Sequence, residues 1–373
     1  MRIKRIKPIA VDLPMVKPIK MAFEEVRCSQ NALVRLETDA GVVGWGDAAS
    51  APTMTGETLE SMMAAVRYLA PRLEGMAADE IDAVMARAER YLYGNHAAKS
   101  TIEMALHDAL GRTIGKPVYE LLGGKRRSRI PLLRQLATGG AAGDIEEAKR
   151  RKAEGFVIFK VKVGVADPLA DAHRTRQVCE VLGDGKMLIC ADANQGWSAE
   201  QAITYVRAVE DTALEFLEQP VAGKDLEGMV AVARASRIKI GCDEGLHSIE
   251  DLRRHHAAGA AHGGNLKIIK FGGMKPLYEA AVLCEELGMK VNLACKMAGC
   301  GITCAAVLQL AAAIPAVDWG MSLTVQYLAD DILAKPLVFA NGHAEVPTGP
   351  GLGIEVDEAK VRRYARAHWM QSG

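Results

Sequence analysis

From about residue 129 onward, short apolar runs alternate with helical stretches of about ten to fifteen residues. No other feature restricts the fold as tightly. The runs read RIPLLRQLA, FVIFKVKV, MLICADAN, LEFLEQP, RIKIGCDE, GNLKIIK, KVNLAC and AVDWGMSLT. Between them lie segments such as DIEEAKRRKAEG, DAHRTRQVCEVLG and KPLYEAAVLCEELG, with apolar residues at helical spacing. Strand–helix alternation implies a parallel sheet with right-handed crossovers. Eight such runs without a dinucleotide-type glycine turn favour a closed barrel of the TIM type. An open, doubly wound sheet is the alternative.

The chain ahead of this region follows another pattern. IKRIKPIAVDLP and NALVRLETDAGVVGWGD read as an antiparallel sheet with a turn at Asp39-Ala40-Gly41. A helical stretch from about Glu57 to Leu92 follows, then a second, AAKSTIEMALHDALGRTIG, ending near Gly115-Lys116-Pro117. The Gly/Pro-rich EVPTGPGLGIEVDEAKVRRYA near the end is expected to return to the first domain. The expected fold class is α/β, with residues 1–127 an α+β domain, 128–325 the barrel carrying the active site, and 326–373 completing the first domain.

The 46 basic and 46 acidic residues cancel, so no electrostatic footprint for nucleic acid or an anionic membrane exists. No uncharged apolar run approaches the roughly 20 residues of a membrane helix, and MRIKRIKPIAVDLP does not read as a signal peptide. The eight cysteines show no paired spacing; Cys295, Cys300 and Cys304 are closer together but lack a histidine or CxxC. A reduced, cytoplasmic setting is expected.

In a barrel, the C-terminal ends of the strands converge on one mouth. Three consecutive runs each deliver a carboxylate there: Asp192, Glu218 and Asp243, spaced 26 and 25 residues apart, about one βα unit each. Glu244, beside Asp243, is an alternative to it. Three carboxylates in one pocket call for a cation, and oxygen-only ligands favour Mg²⁺, with Mn²⁺ as a substitute. FKVKV precedes the Asp192 run and carries Lys160 and Lys162 on one face of a strand. GNLKIIK follows the Asp243 run and brings Lys267 and Lys270. Lysines bracketing a carboxylate triad suit removal of a proton α to a carboxylate, with the cation absorbing the charge that develops. A lysine base must be neutral, and a neighbouring ammonium such as Lys160 lowers its pKa.

These motifs together resemble the enolase superfamily, in its muconate lactonizing subgroup of the mandelate racemase/muconate lactonizing enzyme family. The resemblance spans nearly the whole chain: GVVGWGD, YGNHAAKSTIEMALHDALGRTIGKPVYELLGG, KVK, ADANQGW, LEQP, CDEG and NLKIIKFGG. It implies a capping domain on a modified (β/α)7β barrel and dimers or octamers. It assigns the metal to Asp192, Glu218 and Asp243, and acid/base catalysis to Lys162 and Lys267. Lys160 is then expected near the substrate carboxylate, and Asn194 near the metal. The mandelate racemase branch uses a His–Asp pair, and Lys267 at the sixth strand disfavours it.

The resemblance also implies two capping loops over the ligand, about residues 16–27 and 51–57. They offer Met21, Phe23 and Met54 as apolar contacts and Glu24, Glu25 and Arg27 as polar ones. Dipeptide epimerases carry Asp-x-Asp on the eighth strand; the matching stretch here is taken as Asp318-Trp319-Gly320, which lacks one acid. Lys296 follows the seventh run, where many relatives carry an acid; facing the mouth, it suits a second anionic group. The expected substrate is a small carboxylate, and the leading expectation a cycloisomerase of a muconate-like acid. Racemisation or epimerisation of an amino-acid derivative, dehydration of a hydroxy acid such as a hydroxyproline, and a non-catalytic metal- or carboxylate-binding barrel are the alternatives.

Overall fold

The computed structural model describes residues 1–20, 25–183 and 185–367. Its centre is an eight-stranded, all-parallel sheet in sequential order. The barrel strands are Leu133–Leu136, Ile158–Lys162, Leu188–Asp192, Leu214–Glu218, Lys239–Cys242, Gly263–Leu266, Lys290–Ala294 and Met321–Ser322. They are called first to eighth below. A parallel bridge between Leu132 and Met321 joins the two ends, closing the barrel. Helix follows each of the first seven strands, whereas the eighth runs into a single 3-10 turn, Thr324–Tyr327. This is the expected modified (β/α)7β barrel.

Inside the barrel, below the mouth, lie Leu133, Ile158, Cys190, Phe216 and Trp319. The Phe216 and Trp319 rings stack with centroids 3.9 Å apart. Gly241 and Gly263 make room for the indole: a Cβ on Gly263 would come within 2.4 Å of it. The floor beneath the site is therefore closely packed with apolar side chains.

The N-terminal region is a three-stranded antiparallel sheet, Ile3–Lys20, Glu25–Thr38 and Val43–Ala49, backed by helices. The helix His96–Ile114 is buried along almost its whole length, because one side meets this sheet and the other meets the barrel. Gly115, at a φ of +69°, ends it where the sequence placed the stop. The expected helical stretch from Glu57 to Leu92 is two helices, Leu59–Leu73 and Ile81–Tyr91, separated at Gly75 with its φ of +84°.

Two sequence readings need correction. RIPLLRQLA is not one strand: Arg129–Pro131 pairs with a C-terminal hairpin, Phe339–Ala340 and His343–Glu345, and only Leu133–Leu136 enters the barrel. AVDWGMSLT yields a strand of two residues, so Asp318 lies before it, at the end of the barrel away from the mouth. There it pairs with Lys290 at 3.0 Å. Ser322 of the eighth strand and Thr324 of the turn after it stand at the mouth. The final segment also touches the N-terminal sheet, through a Val11–Ala365 bridge and a two-pronged Arg366–Asp12 ion pair. Among the described residues no helix is long and apolar enough to cross a membrane.

Candidate active site

Period-two alternation sorts the second strand. Phe159 and Val161 pack outward into the main core, while Ile158, Lys160 and Lys162 point inward, from the floor to the rim. Parallel pairing sets Lys162 level with Asp192, and Asp192 level with Glu218. Asp243 follows the fifth strand directly. Gly263 and Asn265 of the sixth strand and Lys267, the residue just past its end, share the inward face. One cavity is lined by Lys160, Lys162, Asp192, Asn194, Glu218, Asp243, Glu244, Asn265 and Lys267.

Each carboxylate is held by lysine. Lys160 donates to Glu218 Oε2 at 2.7 Å and stands 3.9 Å from Asp192. Lys162 donates to Asp192 Oδ2 at 2.6 Å and to Asn194 Oδ1 at 2.7 Å. Lys267 binds Asp243 Oδ2. Lys270 binds the other oxygen at 2.7 Å and also reaches the Asp243 and Asn265 carbonyls. Burial alone would lower the pKa of Lys160, but Glu218 and Asp192 outweigh it and keep the ammonium charged. Burial would likewise raise Asp243, yet Lys267 and Lys270 hold it well below the usual carboxylate range. Glu244 has no such partner: burial and its acidic neighbours push it up to about 7.

Backbone strain sits at the same place. Asn194 and Gln219, just past the third and fourth strands, have φ of +43° and +35°. Asn194 thereby aims its backbone N–H at Asp192 Oδ1 and its side-chain amide at Glu244. Gln219 accepts from the N–H groups of Asp243 and Gly245, fixing the fifth-strand end.

Among the described residues, no three His, Cys, Asp or Glu side chains stand close enough to hold an ion as placed. Each of the three carboxylates is paired with a lysine instead. The donor chemistry nonetheless fits a hard cation: Asp192, Glu218 and Asp243 are each at most 2% exposed, and all offer oxygen. The Asn265 side-chain amide also donates to both Glu218 at 2.9 Å and Asp243 at 3.4 Å, so these two acids are neighbours. Two further buried oxygens, Glu244 Oε2 and Asn265 Oδ1, have no hydrogen-bond partner.

The sequence reading missed Asn265 and Gln219. Both are uncharged residues in or beside apolar runs, and nothing in the spacing marked them. Of the loop residues, Met54 lines the cavity, and its carbonyl lies 2.9 Å from His247 Nε2. Met21, Phe23 and Glu24 lie outside the described residues. Glu25 and Arg27 pair with each other at the surface and do not line the cavity, contrary to expectation. Lys296 does line it and is 5% exposed.

Comparison with known proteins agrees with this architecture. Residues 5–123 match the mandelate racemase/muconate lactonizing enzyme N-terminal domain, and 144–360 match the enolase C-terminal domain-like family. A chloromuconate cycloisomerase from Cupriavidus pinatubonensis is 34% identical over 96% of this chain and 97% of its own. Muconate cycloisomerase 1 from Rhodococcus opacus is 32% identical over 95% and 96%. The Pseudomonas fluorescens muconate lactonizing enzyme, solved with muconolactone, superposes with a TM-score of 0.93 at 32% identity, covering 98% and 99% of the two chains. The N-succinyl Arg/Lys racemase of Bacillus cereus superposes equally well, at 0.93, with 27% identity and 98% of each chain covered.

Capped barrels with lysines and acids at the strand ends form one class of enzyme, the enolase superfamily. Within it, this chain belongs to the mandelate racemase/muconate lactonizing enzyme family. It is a muconate cycloisomerase-like enzyme, and enzymes of this family depend on a metal ion.

Proposed function

We propose that this protein moves the proton α to a substrate carboxylate by lysine acid–base catalysis, and that its reaction is cycloisomerisation of a muconate-like acid. One observation carries the reading. Lys162 and Lys267 come from the second and sixth strands, on opposite sides of an eight-stranded barrel, yet line one cavity with Asp192, Glu218 and Asp243. A Mg²⁺ ion, or Mn²⁺ in its place, held by those three acids would supply positive charge against the substrate carboxylate.

The chain's own residues do the rest. Lys160 stays an ammonium beside that carboxylate and adds fixed positive charge where negative charge grows. Lys162, steadied by Asn194, faces one side of the α-carbon, and Lys267 faces the other. Cycloisomerisation needs one of them: ring closure of the second carboxylate onto the double bond leaves an α-carbanion equivalent, which that lysine protonates. The packed floor of Phe216 and Trp319 keeps bulk water from entering below.

The test is deuterium uptake at Cα of muconolactone by the Mg²⁺-loaded protein in D2O. Exchange is expected in the wild type and should be lost in one of Lys162→Ala and Lys267→Ala. Retention in both variants sinks lysine catalysis. The opposed lysines also favour a second reading, two-base racemisation of an N-acyl amino acid. In that case each variant stops exchange of a different enantiomer of N-succinyl-lysine.

A further inference from the structure

Behind the end of the second strand, outside the barrel, lies a charged cluster that the proposed reaction does not use. The helix after this strand, Pro168–Leu182, carries Asp171 and Arg174, and the helix after the first strand, Ala141–Ala153, carries Asp144. Asp144 and Asp171 are buried, at 0% and 3% exposure. Two such carboxylates are costly without a cation, and Arg174 supplies it. Its Nη1 donates to Asp144 Oδ2 and its Nη2 to Asp171 Oδ1, both at 3.0 Å. Stability alone accounts for those two bonds.

The third bond of the guanidinium needs another reason. Arg174 Nη2 also donates to the backbone carbonyl of Lys162, the last residue of its strand. The chain just beyond is pinned as well: Val163 N–H donates to the Asp192 carbonyl at 2.9 Å, and Gly164 N–H to Asp171 Oδ2 at 2.9 Å. Asp144 ties in the loop after the first strand, accepting from Thr138 N–H at 2.9 Å and from Thr138 Oγ1 at 2.8 Å. A lysine amine sits on a flexible four-carbon stem, so it is placed no better than the backbone that carries it. Here that backbone is fixed from behind, while the Lys162 amine faces the cavity and meets Asp192 and Asn194.

We infer that Arg174 is a positioning residue: by holding the Lys162 carbonyl, it sets the direction in which the Lys162 amine enters the cavity. The inference rests on the reading of Lys162 as an acid–base group and extends it to a side chain on a helix outside the barrel. Lysine cannot take over this task. The bonds to Asp144, Asp171 and Lys162 fan out from two nitrogens of a planar fork, and an ammonium is a single point with no such span.

Arg174→Met and Arg174→Lys are compared with wild type in three measurements on the Mg²⁺-loaded protein. These are the urea midpoint, deuterium uptake at Cα of muconolactone, and acetylation of Lys162 relative to Lys267 by acetic anhydride, read by peptide mass spectrometry without substrate. Arg174→Lys keeps a cation between the aspartates and is expected to unfold near the wild-type midpoint. Both variants are expected to half-saturate with muconolactone as wild type does, yet to exchange about 10–100-fold more slowly at saturation. The labelling ratio of Lys162 to Lys267 should change several-fold in both. If Arg174→Lys keeps the wild-type rate and ratio, the cluster serves stability only and the inference is overturned. A rate that falls while the ratio stays unchanged overturns it too. If Lys162→Ala exchanges as fast as wild type, the acid–base reading of Lys162 falls instead. The labelling ratio then decides alone: a change in the Arg174 variants supports the positioning role, and no change overturns it.

Discussion

Asn265 shows what one uncharged residue contributes at this site. A single amide nitrogen bridges Glu218 and Asp243, while four lysine ammonium groups pair with the carboxylates around it. Groups that orient ligands typically contribute about 10–100-fold to metal affinity. Asn265→Ala is therefore expected to weaken Mg²⁺ binding by roughly that factor, as read by calorimetric titration. An unchanged affinity would leave Asn265 as packing only.

Asp47 is a residue-scale effect of another kind. It is fully buried, with one oxygen bonded to Cys300 N–H and Thr303 Oγ1 and the other without a partner. Burial pushes its pKa up to about 6, from an ordinary 3.8. Because the folded value is the higher one, its contribution to stability is full below the unfolded pKa and is lost as pH rises through about 6. Between pH 5 and 7.5 the loss is about 1 kcal/mol. Asp47→Asn should remove that part of the pH dependence, so urea midpoints of variant and wild type should converge, or cross, towards pH 7.5. Parallel curves across that range would contradict it.

At the scale of elements, the helix His96–Ile114 lies against the strand Val43–Ala49 so closely that glycine is required. A Cβ on Gly46 would stand 1.8 Å from the Thr101 carbonyl, which is backbone and cannot turn aside. Gly46→Ala is expected to cost at least about 1–3 kcal/mol, the usual range for overpacking, measured by chemical denaturation. A loss below a few tenths would mean the helix can shift freely.

Elements also show how far the sequence was legible. One charged residue at the end of each successive apolar run is a strong signal, so the acids and lysines could be placed before any geometry was known. Position within a run was harder. AVDWGMSLT contributes only two strand residues, too few for alternation to set its register; Asp318 was thus assigned to the wrong end of the barrel. The break between Leu59–Leu73 and Ile81–Tyr91 did carry a signal, Pro71 followed by Gly75, which amphipathic spacing on both sides obscured. Asn265 lies in NLKIIKFGG but has no charge or spacing to mark it, since its importance comes from neighbours on two other strands.

At the scale of the whole molecule, a ligand that binds only the folded barrel must stabilise it. Mg²⁺ at about a hundred times its dissociation constant is expected to add about 2.7 kcal/mol, seen as a rise in melting temperature that a chelator reverses. Asp192→Asn should abolish the rise. A melting temperature indifferent to Mg²⁺ in wild type would count against the three acids as its ligands.

The turn that carries Lys296 is clamped by hydrogen bonds between positions far apart in the chain: Ser29 to Ala298 and Asp47 to Thr303, separated by 269 and 256 residues. The acids and the lysines at 160 and 162 come from the middle of the chain and can gather as their strands pair. The turn after the seventh strand cannot take its final shape until the first fifty residues meet the last hundred. Closing so long a loop is entropically costly and comes late in folding. A nascent chain could thus have its acids and lysines gathered before the turn beside them is clamped in place.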